Sequence, residues 1–157
     1  MRVFLDTNVL VSAVTTRGLC ADIVRAVLAD HELVTCTKVL QEITRILHTK
    51  FSVPDSLISE YLELIRQDAI LAEAEEAPYI RIKDVDDIEI IGAAISGKAD
   101  VMVTGDREVL DIKPMRKLRI VSPRAFWEEL KAQRGVAPDG RQASSSPERG
   151  VHVRARR

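Results

Sequence analysis

Residues 2–8 read RVFLDTN, a short apolar run that ends without a spacer in a carboxylate, a hydroxyl and an amide. Val3 and Phe4 are side chains that pack well on a pleated, buried surface, so the run predicts a strand. Asp6, Thr7 and Asn8 then stand at its carboxyl end. The pattern returns at 101–106, VMVTGD, where Thr104 and Asp106 follow a second apolar run.

Further strands are predicted at ELVTC (32–36) and LRIVS (118–122), with AILAE (69–73) a weaker candidate. Between them apolar residues recur at helical spacing. Leu19, Ile23, Val24, Val27 and Leu28 make one stripe, Val39, Leu40, Ile43, Ile46 and Leu47 a second, and Leu57, Ile58, Tyr61, Leu62 and Ile65 a third after Pro54. Another helix runs from about Asp87 to Ser96 and is stopped by Gly97. In SPRAFWEELK, Ser122 is the N-cap, Pro123 takes the first helical position, and Phe126, Trp127 and Leu130 face the core. Strands alternating with helices imply βαβ units. The expected fold is α/β, a three-layer α/β/α sandwich with a mainly parallel central sheet.

With 157 residues, 46% of them hydrophobic, the chain can bury one real core. One domain is expected over residues 1–132. From Gln133 onward six arginines face two acids, although the whole chain has a formal net charge of -1. This segment, 133–157, is rich in Gly, Ser, Pro and Arg and has no apolar period, so it is expected to be a disordered Arg-rich tail. Either a solvated extension or an arm that touches nucleic acid fits that composition. Cys20 and Cys36 form no CxxC pair, which argues against a zinc knuckle and a disulfide framework. His31, His48 and His152 read as surface or structural residues. No stretch approaches the roughly 20 apolar residues that cross a bilayer, so a soluble, cytoplasmic protein with no membrane partner is expected.

In parallel sheets ligands sit outside the carboxyl ends of strands, where strand order reverses. Asp6, Asp87, Thr104 and Asp106 all map to that rim. Each acid also has a plain structural reading as a helix cap. Glu42 falls at the edge of the stripe made by Val39, Ile43 and Ile46, where a charge either pairs, ligates, or extends to water. Four converging carboxylates repel one another unless a cation sits among them. Oxygen-only donors suit Mg²⁺ or Mn²⁺, which points to phosphoryl chemistry.

Four stretches, VFLDTNVLVSA, VLQEITRIL, DVDDIEIIGAAISGKADVMVTGDREVL and IVSPRAFWEEL, resemble the PIN-domain family over about residues 2–131. The chain is particularly similar to bacterial PIN-domain proteins described as toxin components of toxin–antitoxin systems. That resemblance implies a Mg²⁺- or Mn²⁺-dependent endoribonuclease acting on RNA, with a small antitoxin protein as partner and a homodimer as its assembly. It also implies Asp6, Glu42, Asp87 and Asp106 as the catalytic acids and metal ligands, with Asp86 the fallback for the third. Asn8 and Thr104 would orient the site, together with Thr7.

A polyanion approaching an acidic body needs basic residues at the mouth, for which Arg17, Lys38, Arg45, Lys50 and Arg107 are candidates. Aromatic residues are only 4% of the chain, which argues against a base-stacking platform. An aspartyl-nucleophile phosphatase also begins with a strand and DxD, but here Asn8 replaces the second Asp. The alternative is a non-catalytic PIN module that binds RNA or a protein. The presence of all four acids speaks against it. For the homodimer, apolar residues of the helices at 19–28 and 57–65 are the candidate surface.

Overall fold

The computed structural model describes residues 1–135, and the expectations placed on 136–157, His152 among them, lie outside the described residues. Val3, Phe4 and Leu5 are consecutive and each is 0% exposed. Successive strand residues point to opposite faces, so a strand buried at every position is covered on both sides. This strand, β1 (Arg2–Leu5), is the middle of a sandwich.

The chain continues through α1 (Thr7–Thr15), α2 (Leu19–Asp30), β2 (Glu32–Thr35), α3 (Thr37–Thr49), α4 (Asp55–Asp68) and β3 (Ile70–Leu71). It closes with α5 (Val85–Ser96), β4 (Val101–Val103), α6 (Arg107–Leu110), β5 (Arg119–Val121) and α7 (Pro123–Gln133). All strand pairs are parallel, in the order β3-β2-β1-β4-β5. The first two crossovers step one way across the sheet, and the next returns past both to reach β4. Because parallel crossovers are right-handed, the reversal places α5 on the face opposite α1–α4. The strand order therefore switches between β1 and β4, where a parallel sheet opens a crevice at its carboxyl ends.

The expected α/β/α sandwich and its parallel sheet are present, and each predicted strand and helix has a counterpart. Two helices go beyond the sequence reading. In α1, Val9, Leu10 and Val11 are all buried, so the segment lacks a polar face to mark its period. Four residues long, α6 is barely one turn and has no period to detect. On α3, Val39, Leu40, Ile43 and Leu47 form the buried stripe, and each such aliphatic side chain contributes about 1.5–3 kcal/mol by leaving water. Ser122 Oγ caps α7 by accepting from Ala125 N–H at 3.2 Å. That helix reaches Gln133, and Arg134 donates to Asp30 at 2.7 Å, which ties the end of α7 to α2.

Gly97 ends α5 for a packing reason. A Cβ there would stand 2.6 Å from Val34 Cγ1 and 2.9 Å from the Ala72 Cβ, so glycine lets the helix end settle onto the sheet. The left-handed residue that closes the helix is the next one, Lys98, with φ 55°. Its N–H donates to Ile95 O, while Ala99 N–H reaches Ala94 O, a Schellman closure.

Candidate active site

Asp6 is the first residue past β1 and the N-cap of α1, its Oδ1 accepting from Thr7 N–H at 2.8 Å. Its own N–H donates to Val103 O at 3.0 Å, so the ladder with β4 is carried one step beyond the strand. The carboxylate is thereby fixed at the switch point. Its residue is only 5% exposed.

Thr104 occupies the matching position past β4 and is fully buried. Its Oγ1 donates to Asp6 Oδ2 at 2.7 Å and accepts from Asp106 N–H at 3.1 Å. Asn8 Nδ2 donates to Asp6 Oδ2 at 3.1 Å and to Thr104 Oγ1 at 3.3 Å, while its Oδ1 accepts from Gly105 N–H at 3.0 Å. These bonds fix the orientation of the Asn8 amide. They also fill three of the roughly four lone-pair positions of the Asp6 carboxylate, leaving one on Oδ1.

Glu42 is half-buried on α3, and Oε2 accepts from Thr7 Oγ1 at 2.6 Å. The polar triplet behind β1 thus divides its work: Asp6 faces the site, Asn8 ties it to β4, and Thr7 ties it to α3. Asp106 caps α6 by accepting from Glu108 N–H at 2.9 Å. In the DVDD run the three acids separate. Asp84 caps α5, Asp86 pairs with Lys38 at 2.9 Å, and Asp87 is half-buried and makes no ion pair among the described residues.

Electrostatics bring the same four acids together. Burial pushes the Asp6 carboxyl up, bonds from Thr104 and Thr7 N–H oppose this, and the charge on Asp106 adds to it. Glu42 is raised by burial, against the Thr7 bond, with Asp6 and Asp86 adding repulsion. Asp87 is pushed up to about 7, first by burial and then by Asp84, Asp6, Asp106 and Glu42. Among the described residues, no three Asp, Glu, His or Cys side chains are drawn together tightly enough to form a closed ligand cluster.

The cations separate by helix direction. Lys38 and Arg45 line a cavity of about 200 Å³ together with Gln41, Glu42 and Asp86. Arg107 follows Asp106 directly, whereas Arg17 lies past the far end of α1 and Lys50 past the far end of α3. His48 pairs with Asp55 at 3.2 Å, away from the acids in sequence. Cys20 and Cys36 are free, and burial pushes the Cys36 thiol up to about 11. On α2 the apolar residues Ile23, Val24 and Val27 are buried, while α4 leaves Leu57 and Leu64 about half exposed. Among the described residues no helix is long and apolar enough to cross a membrane.

Residues 2–108 match the family model described as PIN domain. Among solved structures the chain is similar to the crystal structure of VapBC2 from Rickettsia felis bound to a DNA fragment from their promoter, with TM-score 0.59 and 16% identity. That likeness covers 78% of this chain and 98% of the other. At this identity it reports on the fold. No curated protein matches the sequence.

Proposed function

The chain belongs to the PIN-domain family, a family of nucleases, and on that premise we propose that it is a Mg²⁺- or Mn²⁺-dependent endoribonuclease, the toxin of a toxin–antitoxin pair. One observation carries the reading. The buried Asp6 is held by Thr104 at the junction of β1 and β4, and its charge interacts with those of Glu42, Asp87 and Asp106.

The donor set fits a hard divalent cation. All four groups are carboxylates, Asp6 Oδ1 keeps a free lone pair, and burial followed by the charge of neighbouring acids raises the Asp6, Glu42 and Asp87 carboxyls. Asp6, Asp87 and Asp106 would hold the ion, with Glu42 binding directly or through water. The chemistry such an ion supplies is positive charge beside the scissile phosphate and greater acidity of water. Thr104 and Asn8 keep Asp6 from turning away, and Thr7 does the same for Glu42. Preorganised groups of this kind need not reorganise during the reaction.

The proposed nuclease domain is residues 1–132, one residue short of the end of α7 at Gln133, and the proposed Arg-rich extension is 133–157, whose first two residues are the last of α7 and the Arg134 that bonds Asp30. A small antitoxin protein is the proposed partner, on the likeness to VapBC2. A second copy of this chain is proposed against the exposed Leu57 and Leu64 of α4. The non-catalytic alternative is disfavoured because the acids that define the site are all present and electrostatically coupled. Incubation of the purified protein with structured RNA tests the reading: cleavage should require Mg²⁺ or Mn²⁺ and stop in EDTA. Cleavage that persists in EDTA would refute it.

A further inference from the structure

Lys38, Glu42 and Arg45 stand at i, i+4 and i+7 on α3 and so share one face of the helix. All three line the cavity of about 200 Å³ that also includes Asp86. A Glu three residues before an Arg ordinarily pairs with it. Here the Glu42 carboxylate is instead taken by Thr7 at 2.6 Å, and the Arg45 guanidinium makes no ion pair among the described residues. Lys38 is bound to Asp86 at 2.9 Å, which leaves two of its three donor positions unused by that bond. The Arg45 guanidinium, lining the same cavity as Glu42 and Asp86, has a fork of donors suited to a phosphate.

We infer that α3 is the track for the RNA backbone on one side of the scissile bond, Arg45 gripping one phosphate and Lys38 a second, nearer the acids. This rests on the ribonuclease reading above and adds the direction from which the substrate enters. The rim bears the acids Glu42, Asp84, Asp86, Asp87 and Asp106, so a polyanion can approach only where cations offset them. The seven-residue separation of the two cations is about 10 Å along the helix, so they meet different phosphates. Arg17 and Lys50, at the far ends of their helices, have no part in the track.

The test uses a labelled single-stranded RNA of mixed sequence with the full-length protein, Arg45→Ala, Arg45→Lys and, as a control, Arg17→Ala. In Mn²⁺, Arg45→Ala should raise KM about tenfold, the size of one charge-assisted contact, with kcat unchanged. Its binding should lose about 0.7 from the slope of log affinity against log salt, the value for one phosphate contact on a single strand. Arg45→Lys should recover most of the loss and Arg17→Ala should match the unsubstituted protein. An unchanged KM, a fall confined to kcat, or an equal loss in Arg17→Ala overturns the track. Binding is also measured in EDTA, where nothing is cut. RNA held through Arg45 by a protein that never cleaves refutes the nuclease reading and keeps the track, while cleavage indifferent to Arg45 does the reverse. No RNA binding in either condition overturns the track.

Discussion

Thr104 Oγ1 donates to Asp6 Oδ2 at 2.7 Å across 98 positions of sequence, and this bond links the residues that follow β1 and β4. The hydroxyl also accepts from Asp106 N–H, so a single buried group serves two of the four acids. Thr104→Val keeps the shape and removes the bonds. It should lower stability by about 1–3 kcal/mol, the cost of leaving buried polar groups unsatisfied, and reduce cleavage, whereas Thr104→Ser should retain most of both. Denaturant melts and cleavage rates check this.

Thr7 should act on activity more than on stability. Its Oγ1 bond to the half-buried Glu42 is the contact that joins α1 to the acid on α3. Thr7→Val frees Glu42 to swing toward water or pair with Arg45, so the cleavage rate should fall while Thr7→Ser stays near the unsubstituted protein. Equal rates in all three would remove Glu42 from the site.

Without metal, stability should decline as pH rises between about 4 and 7. The Asp87 carboxyl has its ordinary value, 3.8, in the unfolded chain and about 7 in the fold, where burial and four neighbouring acids raise it. Between those limits the folded state holds the extra proton, so ∂ΔG/∂pH is negative and raising the pH through this window costs stability. Asp87→Asn should flatten this part of the profile. Urea midpoints in EDTA across the range provide the measurement, and a slope unchanged by the substitution would count against Asp87.

Gly97→Ala should destabilise the fold by about 1–3 kcal/mol, because the added methyl would stand 2.6 Å from Val34 Cγ1. Lys98→Gly should have the opposite sign, relieving the left-handed φ of 55°. Thermal melts of the two variants should therefore shift in opposite directions.

Much of this architecture was legible because short, continuously apolar runs alternate in the chain with stretches of helical period. Asp6 and Asp106 could be picked out since both follow an apolar run and end a predicted strand. What the sequence left open has local physical causes. Asp86 and Asp87 are adjacent on a helix and point in different directions, and only the fold pairs Asp86 with Lys38 while setting Asp87 among the other acids. Lys38 and Arg17 look alike as residues after a strand or helix, yet helix direction carries one to the rim and the other away. Gly97 reads as a helix stop, but its use is contact with Val34, a relationship between distant segments.

The cooperation of the four acids as a cation site is tested most directly by the melting of the unsubstituted protein and Asp87→Asn, each in EDTA and in Mn²⁺. Asp87 suits this better than Asp6, since an amide at Asp6 Oδ2 would confront the donors Asn8 and Thr104. At about pH 8, above the value near 7 for Asp87, the carboxylates repel, so Asp87→Asn should melt at the same or a higher temperature in EDTA. Mn²⁺ at 100 times its Kd should stabilise the unsubstituted protein by about 2.7 kcal/mol and the variant much less, so that the order of the two melting temperatures reverses. An equal rise in both proteins, or no rise in either, would contradict the account.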